Sequence, residues 1–191
     1  VIFIFNEGCH SASELYRFAK RRSNLIQLIS IIVTGRDDSM HLREVFQSIR
    51  KLQLTYEIIY FDLNSKDESI EIAKRYSDRV YTFKNDGYIH HSAGRWSGTI
   101  VANFDWVLYL DGNMVLRDEF IAFINSRAFT KSRGLAGFVG NYSQVLVEKS
   151  ENNLHQIETS YSKLALFEGG LLAKKEKILR AGNWNPSVTS Y

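Results

Sequence analysis

The sequence contains a single cysteine, Cys9, and no long apolar run. One cysteine excludes a disulfide within the chain and favours a reducing compartment. No stretch approaches the roughly 20 apolar residues that span a bilayer. The apolar segment Val1–Phe5 is much shorter and lacks the layout of a secretory signal. These absences predict a cytoplasmic protein.

The chain also has little net charge, with 24 Lys and Arg against 21 Asp and Glu, a formal net charge of +3. This balance argues against a nucleic-acid-binding protein, which normally carries a strong basic excess. Lys20, Arg21 and Arg22 form a small basic cluster. The cluster is compatible with peripheral contact at the inner face of a membrane, but a solvated helix face is the simpler interpretation.

Two phosphate-binding signatures are missing. No G-x-G-x-x-G follows the first predicted strand, and no G-x-x-x-x-G-K-[ST] loop occurs, which argues against a dinucleotide fold and a P-loop phosphotransferase. The composition of the 191 residues, 45% hydrophobic and 24% charged, is that of one globular domain. We assign this domain to 28–191. Residues 1–27 form an N-terminal arm without an assigned role, with a strand at Val1–Phe5 and a helix at Ser11–Gln27.

Strands and helices alternate four times in the first half of the domain. This alternation predicts an α/β fold with a mainly parallel sheet and helices on both faces. Ser65 and Glu68 have the spacing of a capping box, which places a helix start at Ser65. The predicted strands are Leu28–Thr34, Tyr56–Phe61, Arg79–Phe83 and Trp106–Leu110, and the predicted helices are Met40–Leu52, Ser65–Tyr76 and His90–Ala102.

The pattern changes after Asp111. A helix over Arg117–Ser126 is followed by predicted strands at Leu135–Val147 and Lys163–Phe167, with polar Glu148–Gln156 between them. The last element is a short helix, Lys174–Ala181, and Gly182 follows it as a C-terminal cap. This order predicts a mixed or antiparallel extension of the sheet.

Polar residues lie at the ends of three predicted strands: Thr34, Asp62 and Asp111. Because the carboxyl ends of parallel strands share one rim, the three residues are expected to line one ligand-binding crevice. Gly112 and Asn113 follow Asp111, and Asp-Gly-Asn is also an ordinary turn sequence.

Four segments carry a family resemblance in their order and spacing. They are SIIVTGRD at Ser30–Asp37, EIIYFDLNSKDES at Glu57–Ser69, GRWSG at Gly94–Gly98, and GGLLAKKEKILRAGNWNP at Gly169–Pro186. Together they resemble the family 2 glycosyltransferases, whose Rossmann-like nucleotide-binding fold is called GT-A. The resemblance implies transfer of a sugar from a nucleotide sugar, with a UDP-sugar as first choice, to a hydroxyl of a glycan or glycolipid acceptor. It further implies an inverting enzyme of polysaccharide or glycoconjugate synthesis.

The resemblance also assigns site residues. It implies nucleotide binding by Thr34, Asp62, Arg95 and Asp111, although Arg95 could instead form a surface salt bridge. It implies a divalent metal, Mg²⁺ or Mn²⁺, on Asp111 and Asn113. The family has an acid that often reads the base at the position of Leu63, so only Asp62 is left for the base or ribose. It has a metal-binding acid at the position of Asn113, so little metal should bind until the nucleotide supplies phosphate oxygens.

The remaining candidates are less specific. Gly169, Gly170 and Trp184 are assigned to the acceptor or sugar, with core packing as the alternative for Trp184. The adjacent His90 and His91 point in different directions on a helix, which favours structural or surface roles over metal binding. The family's catalytic base is expected beyond Tyr191, so the chain is expected to be a fragment.

Two other functions remain open. A catalytically inactive nucleotide-sugar-binding module of the same fold would account for Leu63, Asn113 and the absence of a base. A nucleotidyltransferase should show a basic glycine-rich loop after its first strand, and Gly35 with Arg36 alone does not supply one.

Overall fold

A six-stranded sheet in the order β3-β2-β1-β4-β8-β5 forms the centre of the fold. A computed structural model of the chain describes residues 28–84, 89–126, 129, 137–139, 143–150, 153–160 and 170–187. The predicted N-terminal arm, the predicted strand Lys163–Phe167 and Gly169 lie outside these residues. The strands are β1 Leu28–Gly35, β2 Thr55–Asp62, β3 Arg79–Thr82, β4 Trp106–Asp111, β5 Gly137–Val139, β6 Ser143–Ser150, β7 Asn153–Ser160 and β8 Leu171–Lys174. The helices are α1 Ser39–Ile49, α2 Ser69–Tyr76, α3 His91–Val101, α4 Asp118–Ile124 and α5 Lys175–Arg180.

The parallel half of the sheet confirms the predicted alternation. β1 pairs in parallel with both β2 and β4, and β3 pairs in parallel with β2. The Ile- and Val-rich sequence of β1 is buried on both sides, as expected for a central strand covered by helices. The four parallel strands therefore end at one edge of the sheet.

Two apolar cores cover the two faces. One core includes residues from α1, α2 and α4, and Phe46 of α1 packs there against Tyr60. The other is smaller and lies towards α3 and α5, where Ile32 and Tyr109 are buried. Helix α3 approaches β1 closely because it has glycine on its inner face: a Cβ on Gly94 would lie 2.6 Å from Thr34 Cγ2.

The predicted antiparallel extension is confirmed, although its strands differ from those expected. The four-residue strand β8 pairs antiparallel with β4, and β5 pairs antiparallel with β8. The predicted strand Leu135–Val147 corresponds to β5 and the start of β6. The predicted polar separator, Glu148–Gln156, is wrong, because most of it belongs to the antiparallel pair β6 and β7, with Glu148 opposite His155. Backbone pairing in such a ribbon does not require the apolar run by which a buried strand is recognised.

The predicted capping box at Ser65 and Glu68 is also wrong. Helix α2 begins at Ser69, and Ser65 Oγ accepts a hydrogen bond from the backbone amide of Asp37 instead. Asp67 is the capping residue: its Oδ1 accepts from Ser69 N and its Oδ2 from Ser39 N, each at 2.9 Å. One carboxylate thus satisfies the first amide of both α1 and α2.

A buried acid ties together the amino-terminal ends of the strands. Glu57 Oε1 accepts hydrogen bonds from Ser30 Oγ (2.5 Å) and Asn103 N (2.7 Å), and Oε2 accepts from Asn103 Nδ2 (2.8 Å) and Arg79 Nη2 (2.6 Å). Arg79 Nη1 donates in turn to Val101 O at the end of α3. This network connects β1, β2, β3 and α3 at the edge opposite the predicted crevice.

Candidate active site at the carboxyl ends of β1 and β4

Thr34 and Asp111 lie side by side at the carboxyl edge of the sheet. They are partners in the β1–β4 register, so their side chains leave the same face. The fully buried Thr34 donates a hydrogen bond from Oγ1 to Asp111 Oδ1 at 3.2 Å. The expectation that these two strand ends meet is confirmed.

Helix α3 adds two nitrogen-bearing side chains to this pair. Arg95 Nη2 donates to Asp111 Oδ1 at 2.7 Å. His91 Nδ1 lies 2.8 Å from Thr34 Oγ1 and 3.3 Å from Asp111 Oδ1. His91 and Arg95 are four residues apart and therefore project from the same side of the helix. Thr34, His91, Arg95 and Asp111 form the group that we call the Asp111 cluster.

The Asp111 cluster keeps its acid ionised. Burial would raise the pKa of Asp111, but the hydrogen bond with His91 and the charge of Arg95 together outweigh burial and lower the pKa to about 2. The hydrogen bonds and ion pairs of the Asp111 side chain with described residues are made through Oδ1. Asp111 is thus a carboxylate held in place by its neighbours, and its Oδ2 makes no hydrogen bond with the described residues.

Arg95 is more enclosed than the sequence implies. Its side chain is only 4% exposed, and its Cζ lies 5.0 Å from the centre of the Trp184 ring. The alternative of a surface salt bridge is wrong, because the pair with Asp111 is buried. Arg95 Nε is also buried and has no hydrogen-bond partner among the described residues. Arg95 therefore positions Asp111, and it keeps one unsatisfied donor beside the cluster.

Asp38 is a neighbour that the sequence did not indicate. Its Oδ2 accepts from Arg36 N at 3.0 Å. A Cβ on Gly112 would overlap this oxygen and lie 2.9 Å from Asp38 Cγ. Burial raises the pKa of Asp38, the Arg36 amide and His91 oppose the shift, and Asp111 adds to it. Gly112 is therefore required for the close approach of Asp38, and its backbone does not adopt a positive φ.

Asp62 is at the same edge but does not join the cluster. Asp62 pairs with Gly35, the residue after Thr34 in β1. Because successive side chains alternate between the two faces of a sheet, the Asp62 side chain leaves the face opposite to that of Thr34 and Asp111. The expectation that Thr34, Asp62 and Asp111 line one crevice is wrong for the side chain of Asp62. Asp62 Oδ2 accepts from the amides of Asn64 (3.1 Å) and Ser65 (3.0 Å), while Oδ1 is buried without a partner in the described structure.

Leu63 and Asn113 occupy positions where the resembling family has acids, and they have different environments. Leu63 is 1% exposed and belongs to the interior, whereas Asn113 is exposed in the turn after β4. Among the described residues, no group of three or more His, Cys, Asp or Glu side chains could hold a metal ion. Asp111 and Asn113 therefore fit only a cation that brings further oxygen ligands with it.

Two of the weaker sugar candidates, Gly170 and Trp184, both contact Tyr109. Gly170 adopts a positive φ of 74° and donates from its amide to Tyr109 O at 3.0 Å. Trp184 packs edge-on against Tyr109, with ring centres 5.1 Å apart. Burial raises the pKa of Tyr109, and hydrogen bonds with Thr99 and Trp184 oppose the shift. Trp184 thus has a packing role beside Arg95.

The two histidines have different environments, as their adjacent positions predicted. Their rings are nearly perpendicular, with an interplanar angle of 86°. His90 caps α3 by accepting a hydrogen bond from Ser92 N, and burial, His91 and Arg95 lower its pKa. His91 contacts Thr34 and Asp111, so a structural role of His91 would lie within the Asp111 cluster. The i, i+4 spacing of His91 and Arg95 was the signal that could have identified it.

Solved structures share this arrangement of strands and helices. Residues 1–349 of TarS from S. aureus superpose with a TM-score of 0.59 at 16% identity, over 86% of this chain and 52% of that chain. The mannosyltransferase PcManGT from Pyrobaculum calidifontis, in complex with GDP-Man and Mn²⁺, gives a TM-score of 0.61 at 13% identity, over 92% of this chain and 55% of that one. The fold is that of the GT-A glycosyltransferases.

The family follows from the sequence itself. Residues 30–169, more than half of the chain, match the family model described as Glycosyl transferase family 2. The chain belongs to glycosyltransferase family 2. The 4,4'-diaponeurosporenoate glycosyltransferase of Staphylococcus haemolyticus is 30% identical over 122 residues, which are 61% of this chain and 32% of that protein.

The chain is shorter than these relatives. It spans about a third of the length of the Staphylococcus haemolyticus protein and about half of each matched structure. Within the described ranges, no helix is long and apolar enough to cross a membrane.

Proposed function

We propose that this chain binds a nucleoside diphosphate sugar across the carboxyl edge of β1, β2 and β4 and supports transfer of its sugar to an acceptor hydroxyl. The observation that carries the proposal is the ionised Asp111, fixed at the end of β4 by Arg95, His91 and Thr34. The family membership supplies the reaction class. Inversion at the sugar and a role in polysaccharide or glycoconjugate synthesis belong to the same proposal.

A uridine nucleotide is our first choice of donor. TarS has been crystallised with UDP-GlcNAc and with UDP, whereas the mannosyltransferase holds GDP-Man. Asp62 offers a buried carboxylate oxygen that has no hydrogen-bond partner among the described residues, and its register neighbour Gly35 has no side chain. A base N–H or ribose hydroxyl lying over the strand tips would satisfy that oxygen, because an unpaired buried acceptor is costly.

The diphosphate leaving group needs positive charge beside it. Asp111 Oδ2 and the Asn113 side-chain oxygen would hold a divalent cation together with the phosphates, and such a cation would neutralise the charge that develops on the leaving group. The chain's own residues prepare this site. Arg95 and His91 fix the orientation of Asp111 and keep it ionised, and Arg95 Nε is a further donor beside it.

Titration calorimetry with UDP, GDP, CDP and ADP, each with Mn²⁺ or with a chelator, tests the proposal. We expect one nucleotide, UDP, to bind preferentially and more tightly with Mn²⁺. We expect negligible Mn²⁺ binding to the protein alone, because the proposed metal ligands, Asp111 and Asn113, include a single carboxylate. Linkage requires the metal and the nucleotide to raise each other's affinity by the same factor. If none of the four nucleotides bound to the folded protein, the proposal would be wrong.

The inactive nucleotide-sugar-binding module remains the second candidate. Leu63 favours this candidate, because a buried aliphatic side chain stands at the position where the resembling family has an acid. Both candidates predict nucleotide binding, so a turnover assay with UDP-sugars separates them. Release of free UDP upon addition of a glycan or glycolipid acceptor supports the enzyme, and binding without release supports the module.

A further inference from the structure

Helix α3 has an inverted distribution of polarity. The residues buried against the sheet are Ser92, Gly94, Arg95, Gly98 and Thr99. By contrast, two large apolar residues one turn apart, Trp96 and Ile100, are 38% and 49% exposed. A helix on a protein surface normally directs its apolar stripe inward and its charges outward. The outward side of α3 thus presents apolar surface without a charged residue.

Helix α5 lies along this exposed side and extends it. Lys175 Nζ donates to Ile100 O at 3.2 Å, and Asn183 Nδ2 donates to Trp96 O at 3.2 Å. Leu179 lies midway in sequence between those two contacts, four residues from each, and is 44% exposed. We call Trp96, Ile100 and Leu179 the α3–α5 patch.

The rim of the α3–α5 patch is basic. Helix α5 contributes exposed Lys177 and Arg180 together with the partly buried Lys175. Two acids lie among them, Glu176, 3.9 Å from Lys177, and Asp105, whose charge acts on Lys175, so a basic excess remains. Tryptophan with aliphatic residues and flanking Lys or Arg is the combination found where proteins contact the membrane–water interface. Long basic side chains can keep their charge at the lipid headgroups while their stems cover apolar surface.

We propose that the α3–α5 patch docks the protein on an anionic membrane surface. Charge complementarity favours this occupant over a second copy of the chain. In a two-fold dimer the same patch would face itself, so Lys177 and Arg180 would oppose like charges. Helix α3 also begins at the Asp111 cluster with His91, so docking would hold the crevice near the membrane. Docking would also bring the crevice close to a lipid-linked acceptor, and this consequence rests on the proposed function. The docking itself does not depend on that function.

Vesicle flotation with the 191-residue chain, without nucleotide, tests the docking. Vesicles of phosphatidylcholine alone are compared with vesicles of equal parts phosphatidylglycerol and phosphatidylcholine. We expect binding to the anionic vesicles that weakens as salt is added. Replacing Lys177 and Arg180 by Ala should weaken binding about fivefold for each charge removed. The double variant Trp96→Ser, Ile100→Ser should weaken it at least about tenfold.

Met40→Ser provides the matched control, because Met40 is 89% exposed on α1, on the other face of the sheet. This variant should bind vesicles like the unaltered chain, and circular dichroism should show that every variant is folded. UDP affinity, measured separately, should be unchanged in all of them, so a failure of nucleotide binding does not affect the docking test.

Three results would overturn the docking proposal. The first is equal binding to neutral and anionic vesicles. The second is full vesicle binding by both double variants, which would assign the contact to another part of the chain, such as Lys20, Arg21 and Arg22. The third is concentration-dependent dimerisation that Trp96→Ser, Ile100→Ser abolishes, without binding to either vesicle, which would make the patch an interface between copies.

Discussion

Two buried acids at opposite ends of the sheet have different environments. Each carboxylate oxygen of Glu57 accepts two hydrogen bonds, and the donors belong to Ser30, Arg79 and Asn103. The Asp111 side chain makes its hydrogen bonds with described residues through one oxygen, and two buried atoms at the same edge of the sheet, Arg95 Nε and Asp62 Oδ1, have no partner among those residues. A buried polar network in which every group is hydrogen-bonded stabilises a fold. Buried polar groups that lack partners, at the edge of a sheet where ligands bind, indicate a functional site.

Tyr60 is a further buried polar residue at the same edge of the sheet as Asp111. Its hydroxyl is buried beside Gly35 and forms no hydrogen bond of normal geometry within the described structure. Burial raises its pKa, the charges of Asp62 and Asp38 raise it further, and nearby Ser65 offsets this only in part. Tyr60 therefore stays neutral and can donate to a ligand at the strand tips. By contrast, the described side chains that donate to Glu57, those of Ser30, Arg79 and Asn103, have no buried unsatisfied atom.

The largest expected effect is on the Glu57 side of the comparison. Glu57→Ala removes the acceptor of four hydrogen bonds and leaves Arg79 without its carboxylate, so we expect the free energy of unfolding to fall by about 3 to 5 kcal/mol. Urea denaturation measures the loss, and Glu57→Gln, which keeps one carbonyl oxygen, should lose less. Nucleotide affinity of the folded protein should not change. A loss below ~1 kcal/mol would contradict the structural role of Glu57.

Arg95→Ala should affect both stability and binding. It removes the partner of a largely buried carboxylate, which should cost about 3 kcal/mol of unfolding free energy. Because Arg95 also orients Asp111 and offers a donor beside it, nucleotide affinity should fall by ~1.5 to 3 kcal/mol, the range for a hydrogen bond to a charged group. Calorimetry at a temperature where the variant is folded measures the second effect. Unchanged affinity would remove Arg95 from the nucleotide site.

Replacement of Asp67 tests whether an acid at the carboxyl edge of the sheet can serve the fold instead of a ligand. It satisfies the first amides of α1 and α2, so Asp67→Ala should cost about 2 kcal/mol, from a typical ~1 kcal/mol for each cap. Burial acts to raise the pKa of Asp67, but hydrogen bonds with Ser69 and Ser39 outweigh it and lower the pKa from 3.8 to about 2.

A depressed pKa has a definite consequence for acid stability. The contribution of Asp67 is complete above its unfolded-state pKa and is lost as the pH falls towards about 2. Denaturation of Asp67→Asn over this range should therefore show less acid sensitivity than the unaltered protein. Identical pH profiles would exclude Asp67 as an ionised cap.

A smaller effect is expected at Gly112. Gly112→Ala forces the Asp38 carboxylate to move, for which we expect about 1 to 2 kcal/mol, within the usual range for overpacking. In the double variant Asp38→Ala, Gly112→Ala the cost of the added methyl group should largely disappear. Additive effects in this double-mutant cycle would show that Gly112 is not needed for the approach of Asp38.

The sequence predicted the parallel half of this fold because each strand is a dense run of Ile, Val, Leu, Tyr or Trp. It did not predict β8, since LLAK is only four residues long and runs directly into α5. The strand ends gave Thr34 and Asp111, which the register joins. The face of the sheet from which the buried Asp62 side chain leaves could not be predicted without the register, because a shift of one residue moves a side chain to the other face.

The remaining site contacts depend on tertiary packing. Arg95 came from a motif, but its enclosure by Trp184 and its pair with Asp111 depend on how α3 and the segment after α5 meet. Asp38 lies one residue after the family-like segment Ser30–Asp37, so the motif does not include it. Its place beside the cluster is known only from its close approach to Gly112. The assignments of nucleotide, metal and sugar to these residues stay predictions.

The central claim is that Asp111 serves a ligand and Glu57 serves the fold. The most direct test is the factor by which Mn²⁺ raises UDP affinity, measured by calorimetry in the unaltered chain, Asp111→Asn and Glu57→Gln. We predict clear enhancement in the unaltered chain and in Glu57→Gln. In Asp111→Asn the factor should fall close to one, because an amide cannot supply the negative charge that a hard cation needs. An enhancement in Asp111→Asn equal to that in the unaltered chain would contradict the account.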